Sequence, residues 1–161
     1  MLRIQPLTGR HDRSAFESAS AQLDAWLRHT AQQYQRRNIS KTFVAVSDEQ
    51  PARILGYYAL TACEILTEEL PEDLARKLPR RIPGIRLGRL AVDRSVQGQG
   101  LGEHLLMDAI ERSRRVLEHV GVHALFVDAK DERAAAFYRK FGFRPLPDDP
   151  LRLVLPLAGL P

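Results

Sequence analysis

Cysteine is nearly missing from this chain. Cys63 stands alone, which excludes an internal disulfide, fits a reducing cytoplasm and leaves no pattern of a shuttling thiol; it reads as a small buried hydrophobe. Long apolar runs are missing too. Nothing approaches the roughly 20 residues of a membrane-spanning helix, and Met1 to Arg13 alternates apolar with polar residues, unlike a signal peptide. His29, His104, His119 and His123 are too scattered to predict a metal site, and none is expected. Repeats and low-complexity tracts are absent. With 44% hydrophobic and 27% charged residues, the 161 residues predict a single domain, 1–161, with a sizeable core.

What is present is a glycine-rich loop between a strand and a helix. Ile85 to Val92 is β-rich, Gly98, Gly100 and Gly102 alternate with other residues, and an apolar-periodic run follows from Leu105 to Val120. Such glycines let the backbone take positive φ and approach a ligand, while the helix start turns unpaired N–H groups toward the loop. Backbone donors and the helix dipole together make an anion cradle that needs no lysine. A P-loop is excluded because Gly102 is followed by Glu103 and His104 instead of Lys-Ser/Thr. A dinucleotide fingerprint is excluded because Glu103 stands where its third glycine belongs.

The remaining chain reads in order as follows. Arg3 to Leu7 predicts a first strand, and Leu23, Trp26, Leu27, Ala31 and Tyr34 one helix whose apolar stripe includes Trp26 as a packing residue. Thr42 to Val46 and Ile54 to Thr61 predict a hairpin, with Gly56 marking a bulge or a close backbone approach. Leu70 to Leu74 reads as a short helix start with Pro71 in its first turn, after which Pro79 and Pro83 break the chain before the central strand. Gly88 marks a bulge in that strand. In the helix after the loop, Leu101, Leu105, Leu106, Ala109, Ile110, Ser113, Val116, Leu117 and Val120 form the core-facing stripe, and Gly121 stops it. His123 to Val127 is the next strand, Asp131 starts a helix that Gly142 ends, and Phe143–Arg144 and Leu151–Leu155 close the sheet.

Two stretches, about forty residues apart, carry a family resemblance. Gln97, Gly100 and Gly102 match Gln/Arg-x-x-Gly-x-Gly/Ala, the acetyl-CoA loop of GNAT N-acetyltransferases. Phe137-Tyr138-Arg139-Lys140-Phe141-Gly142-Phe143 resembles their second signature, Phe-Tyr-x-x-x-Gly-Phe. Leu87 to Asp93, Leu23 to Leu27 and Ser40 to Val44 further resemble the toxin branch of that superfamily, which acetylates aminoacyl-tRNA. The resemblance implies an α/β (α+β) GNAT fold: a central mixed, mostly antiparallel twisted sheet of about six to seven strands, its middle strands splayed, flanked by about four helices. It also implies acetyl-CoA as co-substrate. Leu90, Ala91 and Val92 would pair with the pantetheine arm, Gln97, Gly98, Gln99, Gly100, Leu101 and Gly102 would surround the pyrophosphate, and Ala134 and Phe137 would lie beside the cofactor. Tyr138 would protonate the departing thiolate. Implied partners are aminoacyl-tRNA, a second copy in a homodimer, and a cognate antitoxin, a small ribbon-helix-helix DNA-binding repressor, all in the cytoplasm. Two alternatives stay open: acetylation of a small amine or protein N-terminus, and a non-catalytic acetyl-CoA-binding regulator, against which Tyr138 argues.

Charge and its gaps bear on the acceptor. The chain carries a net +4, and Arg76, Lys77, Arg80, Arg81, Arg86, Arg89 and Arg94 cluster against the single acid Asp93. Arg36, Arg37, Arg76, Lys77, Arg80, Arg81, Arg86 and Arg89 are therefore the candidate tRNA contacts. The central strand has no glutamate, and so lacks the general base that many lysine acetyltransferases of this superfamily place there. A lysine with pKa about 10.4 needs such a base at neutral pH, whereas an α-amine near 7.7–8.0 is already free roughly a tenth of the time. The gap favours an α-amine acceptor.

Overall fold

Runs of β-branched and aromatic residues in Lys41–Ser47 and Gly56–Leu66, buried on both faces from Thr42 to Val46 and from Gly56 to Ala59, make two strands whose register runs from Lys41↔Leu60 to Ala45↔Gly56. They sit inside a chain that, in this computed structural model, is described over residues 1–158. Its elements are β1 (Leu2–Pro6), α1 (Ala21–His29), α2 (Ala31–Arg36), β2 (Lys41–Ser47), β3 (Gly56–Leu66), α3 (Glu72–Ala75), β4 (Arg81–Val92), α4 (Leu101–Val116), β5 (Ala124–Asp128), α5 (Glu132–Lys140), β6 (Arg144–Leu146) and β7 (Asp149–Pro156). The strands form one seven-stranded sheet in the order β1-β2-β3-β4-β5-β7-β6. β4 and β5 run parallel, while β1–β2, β2–β3, β5–β7 and β6–β7 are antiparallel. This is the mixed, mostly antiparallel sheet the sequence implies.

Two compact units divide the residues. The first is Met1–Thr61 with Arg89–Glu111, the second Ala62–Gly88 with the chain from Arg112 onward. Leu7, Phe16, Leu27, Ala31, Val44, Val46, Ile54, Tyr57 and Ala91 form a buried cluster in the first, with Leu23 and Trp26 packed on it. Ile65, Leu70, Ile82, Ala124, Phe126, Leu146 and Val154 do so in the second, with half-buried Cys63 against them. Each fully buried leucine, isoleucine, valine or phenylalanine among them stabilises its unit by about 1.5–3 kcal/mol.

In the second unit the segment between β3 and β4 is a closed loop. The Thr67 N–H donates to the Arg80 carbonyl at 2.8 Å and the Thr67 hydroxyl donates to the Pro79 carbonyl, which pins the two ends together. Arg144 makes a bidentate pair with Asp73 at 2.8 and 2.9 Å, and buried Leu70 anchors the loop to the core.

Three local expectations are corrected and one open alternative is resolved. The single first helix is two, because Thr30 takes φ −123° and breaks the ladder, though the stripe continues across it through buried Leu27 and Ala31. Pro83 does not stop the chain: β4 begins at Arg81, and Pro83 takes part in the strand through its carbonyl, which accepts the His123 N–H at 2.9 Å. α4 ends at Val116, not Val120. Beyond it Leu117 and Glu118 donate to carbonyls three residues back, the tighter winding turns the stripe away from the core, and Leu117 and Val120 are 38% and 56% exposed. Gly56 is a close approach and not a bulge. A Cβ there would stand 2.8 Å from Leu105 Cδ1 and 3.1 Å from the Ala91 carbonyl, so β3 lies tight against α4.

Candidate functional site

The loop after β4 is fixed before its glycines begin. Asp93, buried at the end of the strand, accepts the Glu17 N–H at 2.9 Å, the Ser95 N–H at 3.1 Å and the Ser95 hydroxyl at 2.6 Å. Burial alone would raise its carboxyl, but these hydrogen bonds, with Arg53 at 3.7 Å, outweigh that and hold it below the ordinary carboxylate range. Gln97 folds back so that its Nε2 donates to the Val92 carbonyl at 3.2 Å.

Gly98 and Gly100 then take φ +78° and +82°, with no atom beyond the adjoining residues within 4 Å of where a Cβ would stand. Side chains at either position would be strained and would fill the space above the loop. The Gly100 carbonyl accepts the His104 N–H at 3.1 Å, so Gly100 caps α4 and the preceding amides have no partner within the helix. Gly102 departs from expectation: it lies in the first turn of α4 and is not among the glycines with positive φ. Leu101, Leu105 and Leu106 bury the helix, and Tyr58 donates to Asp108 at 2.5 Å. A cavity of about 340 Å³ opens beside the loop, lined in part by Leu55, Val96, Gln99, Gly100, Leu101 and His104. Upstream, the parallel register of β4 with β5 ends at Leu87↔Val127, before Gly88, and half-buried Leu90, buried Ala91 and half-buried Val92 lie beyond it.

In the second unit, α5 presents Tyr138. Asp131 caps the helix by accepting the Ala134 N–H at 2.8 Å; Ala134 and Phe137 are half-buried. Gly142, at φ +96°, reverses the chain and lets Phe143 return against the helix. Tyr138 is thereby held edge-on by Phe143 at 5.6 Å and by Phe137 at 5.4 Å. The spacing Phe-Tyr-x-x-x-Gly-Phe has a physical basis: the glycine's positive φ closes an aromatic cage around the tyrosine. Only 7% of Tyr138 is exposed, and burial, reinforced by the Asp128 carboxylate, pushes its phenol above the usual tyrosine value.

The predicted phosphate contacts separate into two groups. Arg36 and Arg37 in the first unit, and Arg76, Lys77 and Arg80 on the closed loop of the second, are exposed. Arg81 pairs with Glu64 at 3.0 Å, Arg86 faces Asp128 at 3.6 Å, and Arg89 lies 4.7 Å above the Trp26 ring, itself stacked on Tyr57. Trp26 is a packing residue as expected, but its cation–π partner was not legible. Sequence reasoning also missed Asp93 and Asp128. Asp93 carried a signal, a carboxylate two residues before a serine, where an Asx cap forms. Among the described residues no group of His, Cys, Asp and Glu is placed to hold a metal ion, and no helix is long and apolar enough to cross a membrane.

Comparison with known proteins agrees with this geometry. The acetyltransferase (GNAT) domain family matches residues 37–145. A tRNA-acetylating toxin of Mycobacterium tuberculosis is 40% identical over 144 residues, 89% of this chain and 85% of its own. The probable toxin TacT of Sinorhizobium fredii is 31% identical, over 98% of this chain and 92% of its own. Among solved structures, AtaT complexed with acetyl-methionyl-tRNAfMet has a TM-score of 0.90 and 32% identity, covering 97% of this chain and 95% of that one. AtaTR bound with AcCoA has a TM-score of 0.82 and 31% identity, covering 97% and 93%. Both the glycine loop and the caged tyrosine fall within the matched stretch, and the chain belongs to the GNAT acetyltransferase family.

Proposed function

We propose that this protein transfers the acetyl group of acetyl-CoA to the α-amine of an aminoacyl-tRNA, and that it acts as the toxin of a toxin–antitoxin pair. The observation that carries the reading is the loop, where two positive-φ glycines leave space above the unpaired amides of α4 and the loop itself contains no lysine. Likeness to a tRNA-acetylating toxin and to a tRNA-bound AtaT supports the acceptor. Gln97 to Gly102 hold the pyrophosphate, the extended backbone of Leu90 to Val92 takes the pantetheine arm, and Ala134 and Phe137 line its path. Arg36, Arg37, Arg76, Lys77 and Arg80 meet phosphates first, since Arg81, Arg86 and Arg89 are already engaged within the protein.

The chemistry follows from the phenol. The amine nitrogen attacks the thioester carbonyl, the C–S bond breaks and the sulfur must gain a proton. A phenol above 10 gives a proton outright to a thiolate near 8.5 only uphill, by at least about 2 kcal/mol. Tyr138 therefore donates as the C–S bond breaks and recovers its proton from the newly acylated nitrogen, so its raised value keeps it protonated and ready. The protein works as a cytoplasmic homodimer and a single domain, with a small ribbon-helix-helix repressor as antitoxin. In support, AtaT binds the C-terminus of its antitoxin AtaR, and KacTA forms a complex with DNA.

The test incubates the protein and labelled acetyl-CoA with charged tRNA, uncharged tRNA and free amino acids. Label on charged tRNA alone, released by deacylation, is expected. Label on free amines at comparable efficiency overturns the acceptor assignment.

A further inference from the structure

The central strand has no acid for the acceptor amine, but the end of the neighbouring strand has one. Asp128 closes β5 in register with Arg152 of β7, and its side chain is 45% exposed. Its carboxylate stands 3.6 Å from Arg86 Nε and 3.7 Å from Arg152 Nε, both too long for a hydrogen bond. Among the described residues, no group donates a hydrogen bond to it. Arg86 Nε is itself buried without a hydrogen-bond partner, so the pair is held by charge and not by a closed fork. Arg152 is fixed from its other side by Glu69 at 3.2 Å. Asp128 is thus aimed by two guanidiniums, open to solvent and left with its acceptor capacity unused. Its charge also reaches the Tyr138 phenol.

Resting on the aminoacyl reading above, we propose that Asp128 positions the acceptor: its carboxylate accepts an N–H of the attacking α-amine and fixes the direction of the nitrogen lone pair. An amine leaving water needs acceptors for its N–H groups, and a carboxylate offers only acceptors. A carboxylate alone would also trap the amine as ammonium. Here Arg86 and Arg152 balance Asp128 and Glu69, so the set orients the amine without favouring its charged form. Arg86 is therefore a support of Asp128 in this assignment, not a phosphate contact.

The experiment compares wild type, Asp128→Ala and Asp128→Asn on one charged tRNA, with acetyl-CoA affinity and thermal melting measured for each. Asp128→Ala is expected to lower kcat/KM for charged tRNA about ten- to a hundredfold, the worth of one hydrogen bond to a charged group, with acetyl-CoA affinity unchanged within about twofold. Asp128→Asn keeps an acceptor oxygen and should recover most of the loss. With Arg86 left without its counter-charge in Asp128→Ala, the bound amine loses its proton more easily, so the acid limb of the kcat–pH profile should move to lower pH. Parallel loss of stability and acetyl-CoA affinity, no rescue by Asn and an unmoved acid limb would show a purely structural ion pair and overturn the proposal; so would unchanged kcat/KM. Wild type is measured separately on charged tRNA. If it labels free amines instead, the aminoacyl reading falls and the same three proteins are compared on that amine, where the same outcomes decide.

Discussion

The glycine loop of the first unit and the aromatic cage of the second meet opposite demands. The loop is exposed, offers backbone and no side chain, and owes its shape to a buried carboxylate, Asp93, at its root. The cage is buried, offers one hydroxyl, and owes its shape to rings at 5.4 and 5.6 Å. In the proposed function, donor binding and proton transfer thus rest on different means: backbone conformation in one unit, a side-chain functional group in the other. A substitution can damage either without touching the other, and that separation is open to test.

The largest expected effect is that of Tyr138→Phe, which removes the hydroxyl and keeps the ring contacts. Turnover should fall about 10²–10⁴-fold in steady-state kinetics while calorimetry finds acetyl-CoA affinity unchanged. Since burial raises the phenol, wild-type kcat should show no alkaline decline from this group below about pH 10. Next is Gly100→Val, which must adopt φ +82° and obstruct the cradle. Acetyl-CoA should bind about ten- to a hundredfold more weakly, with turnover at saturation largely kept. Loss of turnover without loss of affinity would break the comparison at its binding end.

A smaller effect is expected from Asp93→Asn, a change of about 1–3 kcal/mol in unfolding free energy and a severalfold weaker acetyl-CoA affinity. The folded carboxyl is depressed, so its contribution is fully present above the unfolded pKa near 3.9 and fades as pH falls through the lower folded value. Wild type and variant should therefore melt increasingly alike as the pH drops below about 4. The smallest effect belongs to the exposed cations. Arg80→Ala with Arg81→Ala should slow acetylation of every accepted aminoacyl-tRNA by similar factors, only a few-fold at physiological salt, and flatten the salt dependence. Stability should shift by less than about 1 kcal/mol, because the Arg81–Glu64 pair is well exposed on both sides.

What the sequence revealed was what neighbouring residues decide. Strand, loop and helix around Gly98 and Gly100 needed only their own spacing, and Gly142 with Phe143 encodes the tyrosine cage within a few residues. What it concealed was distant. The Glu17 N–H reaches Asp93 across 76 positions, Arg89 finds Trp26 only once β4 and α1 are assembled, and Asp128 meets Arg86 and Arg152 through strand register. The break at Thr30 escaped because the apolar period runs on across it. Pro83 misled because its ring lacks a donor, which rules out a strand interior only where that donor is needed.

The knot at Thr67 and Arg80 has a consequence for how such proteins diversify. With both ends of the intervening segment tied to each other, lengthening it or rewriting its exposed positions between Leu70 and Pro79 costs little loop-closure entropy and leaves the register of the flanking strands alone. Arg76 and Lys77 sit on that segment. Drift there can alter which acceptor is met first while the machinery of acetyl transfer is inherited intact, so lineages sharing this sheet should differ most in sequence between these two anchoring residues.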